Sequence, residues 1–380
     1  MARNVILMIA ACCIMLSGCA GIKNIQDLTY IVSIGMDYDE EKDEYTVYLQ
    51  GLNFLNVAKQ EGGKSAEPVP VFVASAKGET LNLAVRKLYK LSEPPLFFGH
   101  VKNLVISKRI VQHKFKEVVE EVGRNRSLRP TLHIVTTDES IEEVFNVNAL
   151  FNYPAIYTVL FKKDFYQVAQ NEIRPVPLMK FLREYYEPMN AAKLPSVKID
   201  KSDWKSEKDY PVLYFDGYSV FQNRRHMKEL AFEDSLFLSW LMEDYIALDE
   251  RVEEEGKLAA AVKLESPVLK FKYDENASSP KFSIVLSIRA DLLERVEDIS
   301  PDRLRSLVEE KIKTKLQSLY LDGIERKIDY LNAGEKWFRM RPEKFAELKQ
   351  TGNFYLEENS LTDIQVKVQI FNFNSYKFYE

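Results

Sequence analysis

The chain has 380 residues, a formal charge of −5 and three cysteines, Cys12, Cys13 and Cys19. Its content of 46% hydrophobic and 29% charged residues is typical of a globular protein with a buried core and excludes a low-complexity chain. Because 57 acidic residues slightly exceed 52 basic ones, the composition argues against nucleic acid as the main partner. The position of the cysteines excludes a disulfide framework and cysteine-based metal sites from the body of the protein.

The amino terminus has the pattern of a secretory signal peptide. Arg3 is followed by an unbroken apolar run at residues 5–16 and then by small residues. A helix of that length rises only about 18 Å, which is too short to cross the hydrocarbon core of a bilayer. We therefore predict a cleaved signal peptide at residues 1–18.

The exit of this signal, Leu16-Ser17-Gly18-Cys19, resembles the lipobox of bacterial lipoproteins. In those proteins the cysteine sulfur receives a diacylglycerol, and the chain is then cleaved on the amino side of that cysteine. The resemblance predicts cleavage between Gly18 and Cys19, with diacylglyceryl and N-acyl groups on Cys19. The mature chain then has 362 residues, and its first residue is held by membrane lipid.

Predicted strands and helices alternate in the first half of the chain. Branched and aromatic residues predict a strand at 28–35, and alternation at 45–50 predicts its antiparallel partner. A helix follows Thr80 as N-cap and ends before the prolines at 94–95. The next predicted elements are a strand at 103–107, a helix from Phe115 closed by Gly123, a strand at 131–136, and a short helix containing Ile141 after the capping residue Asp138. Residues 191–210 are polar and unperiodic, which favours an inter-domain connection.

The second half begins with a predicted strand at 212–222, in which Gly217 marks a bulge. One or two helices are expected within 229–248. Alternating apolar residues on both sides of 274–280 predict a hairpin. Ser300 and Pro301 begin a long helix, and a helix at 342–349 and a strand at 364–370 complete the chain.

These patterns predict an α+β or mixed α/β fold of two to three small domains, with mostly antiparallel sheets flanked by helices. We place the amino-terminal region at residues 19–200 and the carboxy-terminal domain at 201–380. A division of the first region near 148–173 is an alternative to a single domain.

Known catalytic and metal-binding motifs are not found in the sequence. Gly62-Gly63-Lys64-Ser65 resembles the end of a phosphate-binding loop, but Ala58 replaces the required glycine and prolines follow. His100, between Gly99 and Val101, could act as an acid or base, although a packing role fits its aromatic neighbours better. We therefore expect no enzyme activity, no cofactor and no metal site.

Three arginines, Arg124, Arg126 and Arg129, lie within six residues of sequence. They could form an interaction patch for anionic headgroups or an acidic partner. The alternative is a solvated turn whose arginines pair with nearby glutamates. The aromatic tail at 371–379 could likewise dock a partner, or it could complete the last strand.

The order of several short segments resembles the Ger(x)C family, the lipoprotein C subunits of nutrient germinant receptors in spore-forming bacteria. The segments are residues 28–37 (LTYIVSIGMD), 75–84 (SAKGETLNLA), 96–106 (LFFGHVKNLVI), 123–130, 217–222 (GYSVFQ), 319–323 and 341–345. Phe345 departs from the family pattern, in which tryptophan is expected at this position, and the glycine expected after the last strand is absent.

The resemblance implies a non-enzymatic, lipid-anchored subunit on the outer face of the spore's inner membrane. It implies three small domains and assembly with a membrane-embedded A subunit and a transporter-like B subunit. A solute-binding lipoprotein is the alternative function, although such proteins usually have two lobes with parallel sheets. An extracytoplasmic hydrolase is a third alternative, for which the sequence offers no catalytic triad or metal site.

Overall fold

The structure is a computed structural model that describes residues 28–52, 70–162, 169–170, 172–206, 209–243, 246–351 and 354–372. The predicted signal peptide, Gly18, Cys19, residues 62–65 and the tail from residue 373 lie outside the described residues. Within the described part, no helix is long and apolar enough to span a membrane.

The described strands form two sheets. In chain order they are β1 Thr29–Asp39, β2 Glu44–Leu52, β3 Val71–Gly78, β4 Leu96–Phe97, β5 Asn103–Ser107, β6 His133–Thr137, β7 Ala169–Gln170, β8 Val176–Pro177, β9 Ala191–Asp200, β10 Val212–Gln222, β11 Arg225–Leu230, β12 Ile246–Glu254, β13 Lys257–Tyr273, β14 Phe282–Arg295 and β15 Leu361–Ile370.

The larger sheet has ten strands, and its main path is β11-β10-β9-β6-β5-β1-β2-β3. Both ends of this path are antiparallel, whereas the central pairs β1–β5, β5–β6 and β6–β9 are parallel. The short strands β4 and β8 pair beside β1 and β6. The predicted hairpin of β1 and β2 is confirmed.

The smaller sheet has five strands in the order β15-β14-β13-β12-β7. The predicted hairpin is confirmed as the antiparallel pair β13–β14, while β15 pairs with β14 in parallel. Because β7 pairs with β12, residues 169–170 from the first half of the chain belong to the sheet built by the second half.

Helices cover these sheets. They are α1 Leu81–Leu91, α2 Lys108–His113, α3 Phe115–Arg124, α4 Ile141–Asn146, α5 Leu178–Tyr186, α6 Phe232–Met242, α7 Pro301–Arg326, α8 Ala333–Met340 and α9 Pro342–Thr351.

Side-chain caps explain where several helices begin. The Thr80 hydroxyl accepts a hydrogen bond from the Leu83 amide at the start of α1, and Ser300 does the same for Arg303 at the start of α7. The predicted cap of α4 was wrong. Ser140, not Asp138, accepts the amide hydrogen bond of Glu143.

The interpretation of residues 191–210 as a connection was wrong for its first half. Residues 191–200 form β9, which is buried on both faces and pairs with β10. A strand inside a sheet that is covered on both faces loses the alternation of polar and apolar residues. Hydroxyl groups help join β9 to β6, because the Thr137 hydroxyl donates to the Val197 carbonyl at 2.8 Å.

Gly217 marks the predicted bulge. The pairing of β9 and β10 shifts between Phe215 and Tyr218, and Gly217 has φ +130°. A Cβ atom at this position would lie 2.1 Å from the Leu230 carbonyl oxygen. The backbone geometry and the close approach of β11 therefore both require glycine.

Two hydrophobic clusters organise the core. One covers one face of the larger sheet with α1, α2, α3 and α5, and the other fills the space between the two sheets. Helix α6 lies in the second cluster, where every residue from Ser235 to Leu241 is buried. This helix contacts β10 of the larger sheet and both β12 and β13 of the smaller one.

The fold is α+β, with helices flanking both sheets, as predicted. The domain limits at 19–200 and 201–380, and the division near 148–173, stay predictions. Strands β9 and β10 lie on either side of the 200/201 limit and are hydrogen-bonded to each other.

Candidate functional site

The predicted arginine patch lies on the turn that follows α3. Asn125 shapes this turn, because its side-chain oxygen accepts the Ser127 amide at 2.9 Å and its carbonyl accepts the Leu128 amide. Arg124 is the last residue of α3 and forms an exposed ion pair with Glu121 at 3.3 Å. An internal ion pair, one of the two alternatives, therefore accounts for Arg124.

Arg126 and Arg129 are exposed on the same turn. Within the described ranges, neither guanidinium has an acidic partner within 4.0 Å. The predicted role of Arg124, Arg126 and Arg129 as an interaction patch stays a prediction. All three arginines are exposed, but among the described residues only Arg124 forms an ion pair.

His100 belongs to an aromatic group at the start of β1. Its ring packs edge-on against Tyr30 at 5.2 Å between centroids and lies 5.7 Å from Phe97. Partial burial lowers the pKa of His100, and the positive charges of Arg129 and Lys102 lower it further. His100 therefore has the packing surroundings that its sequence neighbours indicated, and it lies close to two cations.

Each of the other three histidines contacts a carbonyl or carboxylate oxygen. His133 Nδ1 lies 3.1 Å from the Leu160 carbonyl oxygen, and His226 Nε2 lies 2.9 Å from Glu229. His113 lies 3.4 Å from Glu40 at the surface. The described residues contain no group of three or more His, Cys, Asp or Glu side chains that could hold a metal ion.

We use the name amino-terminal edge for Thr29, Tyr30, residues 89–100, Lys102 and Arg129. Hydrogen bonds fix its geometry, because the Thr29 amide donates to the Pro95 carbonyl at 3.0 Å and the Thr29 hydroxyl donates to the Pro94 carbonyl at 2.9 Å. The loop after α1 is thereby attached to the first residue of β1. Strand β1 therefore begins beside this loop.

A surface groove of about 390 Å³ adjoins this edge. It runs between α1 and α3, and Tyr89 and Phe98 lie at it with their ring centroids 5.9 Å apart. The remaining lining is mixed, with Leu81 and Val85 on one side and Asn125 on the other.

A buried polar cluster joins the two halves of the chain, and we call it the Asp329 junction. Asp329 is 3% exposed, and its carboxylate accepts the amides of Ala333 at 3.1 Å and Gly334 at 2.6 Å at the start of α8. The Tyr355 hydroxyl lies 3.2 Å from the same carboxylate and 2.8 Å from the Met189 carbonyl oxygen.

Gln222 and Asn332 extend the Asp329 junction. The Gln222 side chain accepts the Asp329 amide at 3.1 Å and donates to the Asn190 carbonyl at 3.3 Å. The Asn332 side chain accepts the Ala191 amide at 3.0 Å. The start of β9 is thus hydrogen-bonded to the segment between α7 and α8, about 140 residues further along the chain.

Burial raises the pKa of Asp329 to about 6, despite the hydrogen bonds that its carboxylate accepts. Since the ordinary value is 3.8, the folded chain binds more protons than the unfolded chain between about pH 4 and pH 6. The stability contributed by this proton is present below that window and is lost as the pH rises through it.

We therefore expect wild type to lose stability relative to Asp329→Asn as the pH rises from 4 to 6. Urea denaturation of both proteins across this range measures the difference between their free energies of unfolding. If that difference stays constant, the titration of Asp329 does not contribute to stability.

Sequence reasoning missed the Asp329 junction and the composition of the amino-terminal edge. The residues of the junction come from four distant segments, and none of them matches a motif. A single aspartate four residues before the first residue of α8 was the one available signal. Of the residues in the amino-terminal edge, His100 and Arg129 were singled out from the sequence. Nothing in the sequence indicated that these two residues lie close together.

Two protein-family models match most of the chain. Residues 21–199 match the family model described as "Spore germination protein N-terminal domain". Residues 216–374 match "Spore germination B3/ GerAC like, C-terminal". The Asp329 junction therefore connects the two matched regions, because Met189, Asn190 and Ala191 belong to the first and Gln222, Asp329 and Tyr355 to the second.

Individual relatives are distant in sequence. Spore germination protein KC of Bacillus subtilis (strain 168) is 22% identical over 362 residues, which cover 89% of this chain and 88% of the relative. Spore germination protein A3 of the same organism is 26% identical over 146 residues, or 38% of each chain.

A solved structure, "Crystal Structure of the GerBC protein", matches the fold with a TM-score of 0.53 and 14% identity. The match covers 90% of this chain and 97% of the solved one. The fold, the two family regions and the near full-length match to protein KC agree with the resemblance found in the sequence. The chain belongs to the Ger(x)C family, the family of germinant receptor C subunits.

Proposed function

We propose that this protein is a lipid-anchored, non-enzymatic C subunit of a nutrient germinant receptor. It is held by Cys19 on the outer face of the spore's inner membrane and assembles there with A and B subunits. The observation that carries this proposal is the match of both family regions in order along residues 21–199 and 216–374. The lipobox at residues 16–19 supports the mode of attachment.

The side chains that could do chemistry support an interaction role. His133 and His226 are occupied by a carbonyl and a carboxylate, and His100 packs among aromatic rings. The buried acid Asp329 accepts amides that begin a helix, which is a structural task. These four side chains therefore have structural partners, and the exposed Arg126 and Arg129 are available for contacts with other molecules.

Cys19→Ala tests the anchor and the function together. We expect the variant to be lost from the membrane fraction of spores and the spores to germinate poorly with nutrients, because two or more acyl chains provide the durable attachment. Immunoblots of fractionated spores and the loss of optical density after nutrient addition measure the two effects. Cys13→Ala is the matched control, since it removes a thiol from the apolar core of the signal and leaves the lipobox intact.

Two results would contradict the proposal. Membrane retention of the Cys19→Ala protein at the level of the Cys13→Ala control would exclude lipidation of Cys19 as the anchor. Normal nutrient germination of spores whose Cys19→Ala protein is soluble would show that the anchored protein is not required.

A further inference from the structure

We infer that the amino-terminal edge lies directly against the bilayer and contacts its anionic phospholipid headgroups. This inference rests on the proposed anchor at Cys19 and adds to it a surface of the folded protein that touches the membrane. It is carried by the distance that the chain can span, the exposed apolar side chains of the edge, and its unpaired positive charges.

The length of the connecting chain limits how far the edge can be from the membrane. Nine residue steps separate Cys19 from Leu28. Even a fully extended chain covers at most about 3.6 Å per residue, so the tether reaches about 32 Å. Leu28 therefore stays within that distance of Cys19, and the loop at residues 92–98 is bonded to the next residue, Thr29.

The edge exposes large apolar side chains at this place. Leu91, the last residue of α1, is 79% exposed, Tyr89 is 52% exposed and Phe97 is 37% exposed. Leu91 is only four residues from Pro95, whose carbonyl is bonded to Thr29. Aromatic and aliphatic side chains together are suited to the boundary between headgroups and acyl chains.

Positive charges surround these apolar residues. Between positions 86 and 102 the sequence has four basic residues, Arg86, Lys87, Lys90 and Lys102, and a single acid, Glu93. Among the residues that the structure describes, Lys90, Lys102 and Arg129 of the edge have no carboxylate partner within 4.0 Å. Basic residues this close to an anionic membrane surface are attracted to its headgroups.

The experiment places one fluorescent probe at the edge of the full-length, lipidated protein. Leu91→Cys is labelled with an environment-sensitive thiol dye, since the mature chain has no other free thiol once Cys19 is acylated. Leu321→Cys is the matched control, because Leu321 is 43% exposed on α7, a helix that packs against the smaller sheet. Both proteins are incorporated into vesicles of phosphatidylcholine and phosphatidylglycerol, and flotation of the vesicles is measured first.

We expect both proteins to float with the vesicles and only the Leu91 probe to be shielded. Its emission should shift to shorter wavelength, and iodide in the water should quench it several-fold less than the Leu321 probe. Proteins that float while both probes are quenched equally would overturn the membrane contact and leave the anchor intact. Proteins that do not float would overturn the anchor, and with it the contact that depends on it.

Discussion

Replacing Asp329 by alanine is expected to lower the free energy of unfolding by about 3 kcal/mol. The change leaves the amides of Ala333 and Gly334 buried without an acceptor, and each unsatisfied buried donor costs about 1–3 kcal/mol. Relief from burying a carboxyl group offsets part of that cost. The effect should spread beyond α8, because the Tyr355 hydroxyl, which donates to the Met189 carbonyl, also loses its contact with the Asp329 carboxylate.

Tryptophan fluorescence during urea denaturation measures this effect. Trp337 lies in α8 and is 1% exposed, so its emission reports the junction, while the fully buried Trp240 reports α6. Trp204→Phe removes the contribution of an exposed tryptophan from all variants. Asp298→Ala is the matched control, because this carboxylate is 97% exposed and its loss should change stability by less than about 0.5 kcal/mol. Equal stability of the Asp329→Ala and Asp298→Ala proteins would show that the junction is not a stabilising contact.

Gly217→Ala should be more damaging still, with an expected loss of about 4 kcal/mol. The new side chain must accept φ +130°, a strained conformation that costs about 1–3 kcal/mol. Its Cβ atom also overlaps the Leu230 carbonyl, a backbone atom that cannot rotate away, so β11 must move away from β10. Overpacking of this kind costs about 1–3 kcal/mol more.

Substitutions at two other glycines distinguish the cost of backbone strain from the cost of the steric overlap. Gly256 has φ +78° but open space around the position of a Cβ atom, so Gly256→Ala should cost only the backbone strain, about 1 kcal/mol. Gly123 has open space in α3 and an ordinary φ, so Gly123→Ala should leave stability unchanged or raise it by up to about 1 kcal/mol. Denaturation of the three variants gives the ranking, and a Gly217→Ala protein no less stable than Gly256→Ala would exclude the overlap with Leu230.

The elements that were predicted correctly are those with a local signal. The hydroxyl groups of Thr80 and Ser300 begin helices because each accepts a hydrogen bond from a backbone amide of the first turn. Pro301 is suited to the first helical position because proline has no backbone N–H that would need an acceptor. Gly217 indicates the bulge because the backbone there has a conformation that residues other than glycine rarely adopt. These features depend on a few neighbouring residues, so the sequence was sufficient to find them.

The missed elements depend on the fold around them. The sequence of β9 has no regular alternation, and it becomes a buried strand because β6 and β10 flank it. Strands β14 and β15 pair in parallel although α7, α8 and α9 separate them in the chain. No short sequence pattern predicts which strand pairs with β14. Helix α6 was predicted within 229–248, but its burial on all sides was not, because such a helix lacks the single apolar face of a surface helix.

For the candidate site, the sequence located single residues and the fold arranged them. From the sequence, Arg126 and Arg129 belonged either to an interaction patch or to a solvated turn, and the structure puts Arg129 near His100 and Lys102. The exposure of Leu91 and Phe97 beside the first strand became visible only in three dimensions. The amino-terminal edge also contains Thr29, the first residue of β1, so it includes the start of the described fold.

Purification of the tagged protein from detergent-solubilised membranes of dormant spores tests the central claim most directly. If the protein is a receptor C subunit, A and B subunits should be recovered with it in comparable amounts, and its amino-terminal peptide should begin with a lipidated Cys19. Recovery of the lipidated chain without A and B subunits, under conditions in which other receptors stay intact, would contradict the account. In that case isothermal calorimetry against amino acids and sugars would be the test of the solute-binding alternative.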